Sequence, residues 1–405
     1  MRRAFPSNSR HRLLPCPPAN KHELRIVLYK SGPLSIFCFL RWPLLIILDR
    51  QSILPMKKFI FVAIIAILLA FSFAAWRILG PATAFTNDSY SLYIRTGMNY
   101  EQLLELIEQQ DTVVKSPAFF NWVARRMDYP STMKAGKYEI KKDMSVLSIL
   151  RMLHNGRQTP VHLSIVKFRT LEGFAGAIGK KFESDSAVIA AFLHNNDSLR
   201  AFGVDSNTFL TIIQPNSYTY FWNTPPSAIF KKMYVSYKAW WTPVRVREAE
   251  AKGLTPTTAT ILASIVEEET NASGDKGKIA SVYLNRMAKG VKLGADPTVK
   301  FAMRDFEMKR IYDKDLKVES PYNTYLYAGL PPGPICTPST QTLQAVLDAP
   351  ATDYLYFVAK PDFSGYSNFA ATYQEHLEYA KAYREALDKQ MAIRARADTV
   401  KKVKE

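Results

Sequence analysis

The sequence predicts an α+β protein with one N-terminal transmembrane helix, then a small α+β module, a connecting module and a mixed α+β C-terminal domain. Residues 59–76 form an apolar run without a charge. After it, stretches of alternating polarity are interspersed with stretches of helical periodicity. The length of 405 residues exceeds that of one ordinary domain. A content of 47% hydrophobic and 22% charged residues is typical of a folded chain.

Residues 59–79 are predicted to be the transmembrane helix. The uncharged part is close to the minimum length that crosses a hydrocarbon core of about 30 Å. Lys57 and Lys58 precede it and only Arg77 follows closely, so the positive-inside rule predicts a cytoplasmic N-terminus and a periplasmic remainder. A cleaved signal peptide is the alternative. It is disfavoured by the long apolar run and by the bulky Trp76 at its end.

Residues 1–55 are predicted to be a start-site extension, because Met56, Lys57 and Lys58 have the pattern of a translation start. A genuine cytoplasmic arm or a second, re-entrant segment is the alternative. The net charge of +17 is concentrated here, since residues 1–58 contain eleven Lys or Arg and only two acidic residues. The rest of the chain is mildly basic and has no nucleic-acid-binding motif, so no nucleic-acid partner is predicted.

The first module is predicted over residues 88–160. The alternating YSLYIRTG indicates a strand, residues 99–110 have the spacing of an amphipathic helix, and a second helix begins near Ser116. A further strand and helix follow before Gly156. The connecting module, residues 161–241, begins with a strand near 161–168. It ends in a group of aromatic residues, for which core packing is a more frequent role than sugar stacking.

The C-terminal domain is predicted over residues 242–388, with a basic helical tail at 389–405. Its most informative helix is TTATILASIVEEE, which Thr255 and Pro256 introduce. Ser264 and Glu267 share a face of small residues on this helix. A carboxyl group on such a face is expected to have a raised pKa and to act as a general acid. A solvated acidic helix end is the alternative interpretation.

Four motifs then occur in a fixed order: ILASIVEEET, KIASVYLNRMAKGVKLGADPTVKFA, SPYNTYLYAGLPPGPICTPS, and YLYFVA with NFAATYQEH. Together they resemble the YceG-like endolytic murein transglycosylases from about Tyr90 to Tyr383. The resemblance implies a LysM-like module at 88–160 and a catalytic domain at 242–388. It implies cleavage of the MurNAc–GlcNAc bond in nascent glycan strands, with 1,6-anhydro-MurNAc ends as the product and strand elongation terminated.

The resemblance also implies that Glu267 is the catalytic residue. The residues predicted to bind the substrate are Ser264, Asp296, Tyr322, Asn323 and Thr324, and each of the last four has a turn-forming or scaffold role as its alternative. Peptidoglycan strands and cell-wall synthases are the implied partners, and the inner membrane is the implied location. No cofactor and no metal are predicted. Two other functions stay open, a non-catalytic peptidoglycan-binding anchor and a hydrolytic muramidase.

Overall fold

The computed structural model describes residues 42–109 and 113–404, and it describes side chains within residues 56–393. Most of the predicted start-site extension, residues 1–55, lies outside the described residues. The chain divides into two units at Phe73. The first unit contains most of helix α1, Trp42–Leu79. Its segment Met56–Leu79 is long and apolar enough to cross a membrane. One N-terminal apolar helix of this kind fits the predicted single-pass anchor.

The second unit begins at Ala74 with a small α+β module. Its elements are β1 Ser89–Ile94, α2 Tyr100–Gln109, α3 Pro117–Arg126, α4 Tyr129–Thr132, β2 Gly136–Lys141 and α5 Val146–Asn155. Strands β1 and β2 pair in antiparallel register, with Leu92 opposite Tyr138. Ser145 caps α5 through its side chain, and Gly156 ends that helix with a φ of 66°. The predicted order of strands and helices is confirmed over this module.

This module has a hydrophobic core of its own. Alternate residues of the strands and the apolar sides of the helices meet in one buried cluster. Its members include Leu92, Ile94, Leu103, Phe120, Tyr138, Ile140 and Leu150. The module touches the next part of the chain through Thr96, whose N–H and hydroxyl both donate to the Glu183 carboxylate at 2.6 Å.

The elements that follow up to residue 241 are mainly helical. They are β3 Val161–Ser164, α6 Leu171–Gly179, α7 Ser186–His194, α8 Asn196–Arg200, a 3₁₀ turn Phe209–Ile212, β4 Ser217–Tyr220 and α9 Pro226–Trp240. Strand β3 is shorter than the sequence pattern suggests. It ends at Ser164 because the backbone of Phe168 turns away to pair with Thr337, whose N–H donates to the Phe168 carbonyl at 2.8 Å.

The C-terminal elements complete the α+β fold. They are α10 Pro243–Glu250, α11 Pro256–Glu269, α12 Ser273–Ala288, α13 Asp296–Met303, a 3₁₀ turn Asp315–Lys317, α14 Thr340–Leu347, β5 Tyr356–Ala359, β6 Ser367–Ala370 and α15 Tyr373–Lys404. Strands β5 and β6 pair in antiparallel register, as do β3 and β4. Helix α15 runs without a break through residue 389, where the basic helical tail was predicted to begin.

One buried cluster joins the predicted connecting module to the predicted catalytic domain. It extends from Leu163 to Ala349 and contains Phe174, Phe230 and Leu262. Most aromatic residues near the end of the connecting module belong to it, including Tyr218, Tyr220, Tyr237 and Trp241. These aromatics therefore build the core, which is the role the sequence favoured.

Candidate functional site

Helix α11 crosses the core and carries three consecutive glutamates at its C-terminal end. Its start is fixed by a capping box in which the Thr255 and Thr258 side chains each accept from the other's backbone N–H. Every residue from Ala259 to Val266 is buried. The helix ends at Glu269, and successive side chains leave it about 100° apart. Each carboxylate therefore reaches a different environment.

Glu267 lies in a polar network that joins three helices. Its Oε2 accepts from Lys276 Nζ of α12 at 2.9 Å, from Ser339 Oγ at 3.0 Å and from Thr342 Oγ1 of α14. The side chains of Glu267 and Lys276 are only 13% and 9% exposed. Burial raises the pKa of Glu267, but the hydrogen bonds from Thr342 and Lys276 and the lysine charge outweigh it and hold the pKa below its usual value. The expectation of a raised pKa for Glu267 is therefore wrong.

Glu268 binds two cations from the segment after β3. Arg169 donates to its Oε2 through Nη2 at 2.9 Å, and Lys167 Nζ lies 3.2 Å from Oε1. Burial raises the pKa of Glu268, and the Arg169 hydrogen bond together with the two positive charges lowers it further than burial raises it. Glu268 is therefore a charge-balanced carboxylate and a poor proton donor.

Glu269 has the opposite electrostatic environment. Burial raises its pKa to about 7, against the effect of a 2.7 Å hydrogen bond that Tyr283 Oη donates to Oε1. The negative charge of Asp296 raises this pKa further, whereas Lys300 and Arg286 lower it. Part of the residue surface stays accessible, while protein atoms around the carboxyl group disfavour its charge. Of the three glutamates, Glu269 is the one whose pKa is raised, whereas those of Glu267 and Glu268 are lowered.

Asp296 begins α13 and lies close enough to Glu269 for its charge to raise the pKa of that residue. The Tyr325 hydroxyl donates to Asp296 Oδ1 at 2.6 Å, and the charges of Asp296 and Glu269 both raise the pKa of Tyr325, although burial is the largest cause. Of the residues predicted to bind the substrate, Asp296 is therefore brought to the neighbourhood of Glu269. Its side chain is exposed.

The sequence profile of the YceG-like family matches residues 92–382. The chain belongs to this family. The matched region contains most of the first module, the shared core and all three glutamates of α11.

Two curated relatives of this YceG-like chain carry the name endolytic murein transglycosylase. The one from Bacillus subtilis (strain 168) is 27% identical over 321 residues, which cover 76% of this chain and 88% of the relative. The one from Streptococcus pneumoniae serotype 2 is 25% identical and covers 69% of this chain but only 56% of the relative. A crystal structure of a YceG-like protein from Listeria monocytogenes aligns with a TM-score of 0.46 at 25% identity, over 72% of this chain and 98% of that one.

Three other predicted site residues of the YceG-like chain are buried and hydrogen-bonded within the protein. Ser264 Oγ donates to the Ile261 carbonyl at 2.7 Å and accepts from the Ile335 N–H at 3.0 Å. Asn323 donates through Nδ2 to two backbone carbonyls at 2.9 Å, and Thr324 Oγ1 accepts from the Ala295 N–H at 2.9 Å. In this structure they hold the loops around the site, and their predicted contact with substrate stays a prediction.

Tyr322 lines a cavity of about 250 Å³ that Arg169, Arg304 and Phe301 also line. Its ring packs against Phe301 at 4.6 Å between centroids. The ring of Tyr322 therefore forms part of a groove wall. An aromatic residue that contacts sugars has to lie in such a position.

Sequence reasoning missed Lys276, Tyr283 and Arg169. A signal existed for the first two, because Lys276, Ala280 and Tyr283 share one face of α12 and all three are buried. A lysine on a buried face requires an acidic partner. Among the residues that the structure describes, no group of three His, Cys, Asp or Glu side chains is arranged to hold a metal ion.

Proposed function

We propose that this chain is an endolytic murein transglycosylase that cleaves the MurNAc–GlcNAc bond within peptidoglycan strands. Membership of the YceG-like family and the names of the curated relatives support the reaction class. The single observation that carries the assignment within this chain is the environment of Glu269, whose carboxyl group accepts a 2.7 Å hydrogen bond from Tyr283 and whose pKa burial raises to about 7.

One such carboxyl group is sufficient for the reaction. In its acid form it donates its proton to the glycosidic oxygen, and the bond from C1 of MurNAc to that oxygen breaks through an oxocarbenium-like state. The C6 hydroxyl of the same sugar then forms a bond to C1 and returns its proton to the carboxylate. The products are a 1,6-anhydro-MurNAc end and a free hydroxyl on GlcNAc, so no water is consumed.

The acid we propose is Glu269. Glu267, the residue that the resemblance implied, stays a prediction, but its contacts favour the ionised form and anchor α11 to α12 and α14. Tyr283 orients the Glu269 carboxyl through its hydrogen bond. Asp296 keeps the proton on Glu269 by its negative charge and contributes an exposed acceptor for a sugar hydroxyl.

The decisive experiment for the reaction class is digestion of purified sacculi by the full-length protein, with mass spectrometry of the released fragments. Ends carrying 1,6-anhydro-MurNAc are the expected result. Reducing ends formed with water would identify a hydrolytic muramidase. Binding to sacculi without any cleavage would identify a peptidoglycan-binding anchor.

The proposed cellular setting is the periplasmic face of the inner membrane, where the enzyme ends the elongation of nascent strands beside a cell-wall synthase. The apolar segment Met56–Leu79 supports anchoring. The two antiparallel strands of residues 88–160, the helices between them and the separate core of this module support a LysM-like glycan-binding role. A periplasm-specific reporter fused after Arg77 should be active, whereas a soluble mature protein that begins near residue 76 would exclude the anchor.

A further inference from the structure

Two neighbouring cavities form a groove along helix α13. The first, of about 180 Å³, is lined by Glu268, Pro297, Lys300 and Phe306. The second is the cavity of about 250 Å³ that contains Tyr322. Arg169 and Phe301 line both, so the two cavities adjoin. Lys300 links the groove to the proposed acid, since its charge lowers the pKa of Glu269.

Aromatic rings follow one another along the groove. Phe306 lies 6.2 Å from Phe301, and Phe301 lies 4.6 Å from Tyr322, measured between ring centroids. Arg169 stacks over Phe306 at 5.3 Å, and Arg304 lies 5.8 Å from the Phe301 centroid. A row of rings with guanidinium groups beside it suits a ligand that has both an apolar face and a negative charge.

Positive charge exceeds negative charge in the groove. The basic residues that line the two cavities are Arg169, Lys300 and Arg304, and the acidic ones are Glu172 and Glu268. Glu268 is balanced by Lys167 and Arg169, and Glu172 by Arg304 at 3.2 Å. Lys300 has no carboxylate within 4.0 Å among the described side chains. The groove therefore has room for a further anion.

We propose that this groove binds the peptide stem of the substrate, with a stem carboxylate held by Lys300 and by the N–H groups of Arg169 and Arg304 that do not bind Glu268 or Glu172. The proposal rests on the proposed function, because the stem is attached to the MurNAc ring whose bond is broken. Planar guanidinium groups match a carboxylate through paired hydrogen bonds, which a sugar hydroxyl does not offer. The enzyme would then prefer glycan strands that still carry peptides over bare strands.

The test compares cleavage of peptide-bearing strands with that of strands from which an amidase has removed the peptides. The wild-type protein should cleave the peptide-bearing strands with the higher kcat/KM. Arg304→Gln should lower this kcat/KM about threefold to tenfold, mainly through KM, since Arg304 is partly exposed. Arg169→Gln should lower it at least as much. On bare strands each variant should lose clearly less kcat/KM than it loses on peptide-bearing strands.

Arg200→Gln is the matched control, because Arg200 forms an exposed ion pair with Asp197 on α8 and lies outside both cavities. It should behave like the wild type on both substrates. Equal losses on both substrates for Arg304→Gln and Arg169→Gln would reduce these residues to structural roles and overturn the proposal. Equal cleavage of both substrates by the wild-type protein would also overturn it. Cleavage of neither substrate would instead contradict the proposed function.

Discussion

Tyr283 donates a 2.7 Å hydrogen bond to Oε1 of Glu269, joining the buried centre of α12 to the C-terminal end of α11. This bond stabilises the ionised carboxyl and lowers its pKa, whereas burial and Asp296 raise it. The resulting pKa of about 7 is a balance that single substitutions can shift in either direction.

The pH dependence of cleavage should report that balance. Glu269 must hold a proton to act as an acid, so kcat/KM should fall as the pH rises through about 7. Tyr283→Phe removes a contact that lowers the pKa, and the fall should move to higher pH. Asp296→Asn removes a charge that raises the pKa, and the fall should move to lower pH. Rates on sacculi between pH 5 and pH 9 measure both shifts, and shifts of the same sign would contradict this account.

Glu267→Gln should destabilise the fold by about 3 kcal/mol, because it leaves Lys276 largely buried without its anion. The folded-state pKa of Glu267 is lowered, so its stabilisation is present above the usual carboxyl pKa and is lost as the pH falls. Urea denaturation should therefore show a loss of wild-type stability on acidification that is weaker in the variant. Asp197→Asn, which breaks an exposed pair, is the control and should change little.

Gly333→Ala should lower stability by about 1 to 3 kcal/mol, since a Cβ at this position would overlap the carbonyl oxygen of Asn207. The loop from 330 to 334 would have to move away from the wall that carries Tyr322. Gly176→Ala is the matched control because open space surrounds that site within α6. Thermal unfolding of the two variants measures the difference. Equal melting temperatures would show that the loop accommodates the methyl group freely.

A fragment of residues 81–160 should fold alone, whereas a fragment of residues 242–388 should not. The first contains a complete buried cluster, and the second would expose the side of α11 that packs against residues 163–241. Amide dispersion in NMR spectra distinguishes the two outcomes. A folded and active 242–388 fragment would mean that the shared core is dispensable.

The sequence predicted the secondary structure around the site well, because the signals were local. Thr255 and Pro256 begin α11 as expected, and the helix ends within one residue of the predicted position. The pKa values of the three glutamates were harder to rank from the sequence. Their pKa values depend on Lys276, Tyr283 and Thr342, which lie 9, 14 and 75 residues away from them in the chain. Helical spacing shows that the three glutamate side chains point in different directions, but it does not identify the residues that each carboxylate contacts.

The sequence also predicted a domain boundary near residue 241, but the buried core has no break at that position. Composition and aromatic content change there, but the buried cluster continues from Phe230 to Leu262. Such long-range packing leaves no periodic signal in either segment alone. The predicted strand near 161–168 was too long for a related reason, since the backbone of Phe168 pairs with the distant Thr337.

The central claim is tested most directly by the release of anhydro-muropeptides from sacculi. The variants Glu269→Gln and Glu267→Gln are measured side by side at pH 6.5, with equal amounts of folded protein. Glutamine keeps the size of the side chain and removes the transferable proton. We expect Glu269→Gln to lose a factor of roughly 10² or more while it still binds sacculi, and folded Glu267→Gln to retain much more activity. Full activity in Glu269→Gln, with activity abolished in folded Glu267→Gln, would contradict the account and return the catalytic role to Glu267.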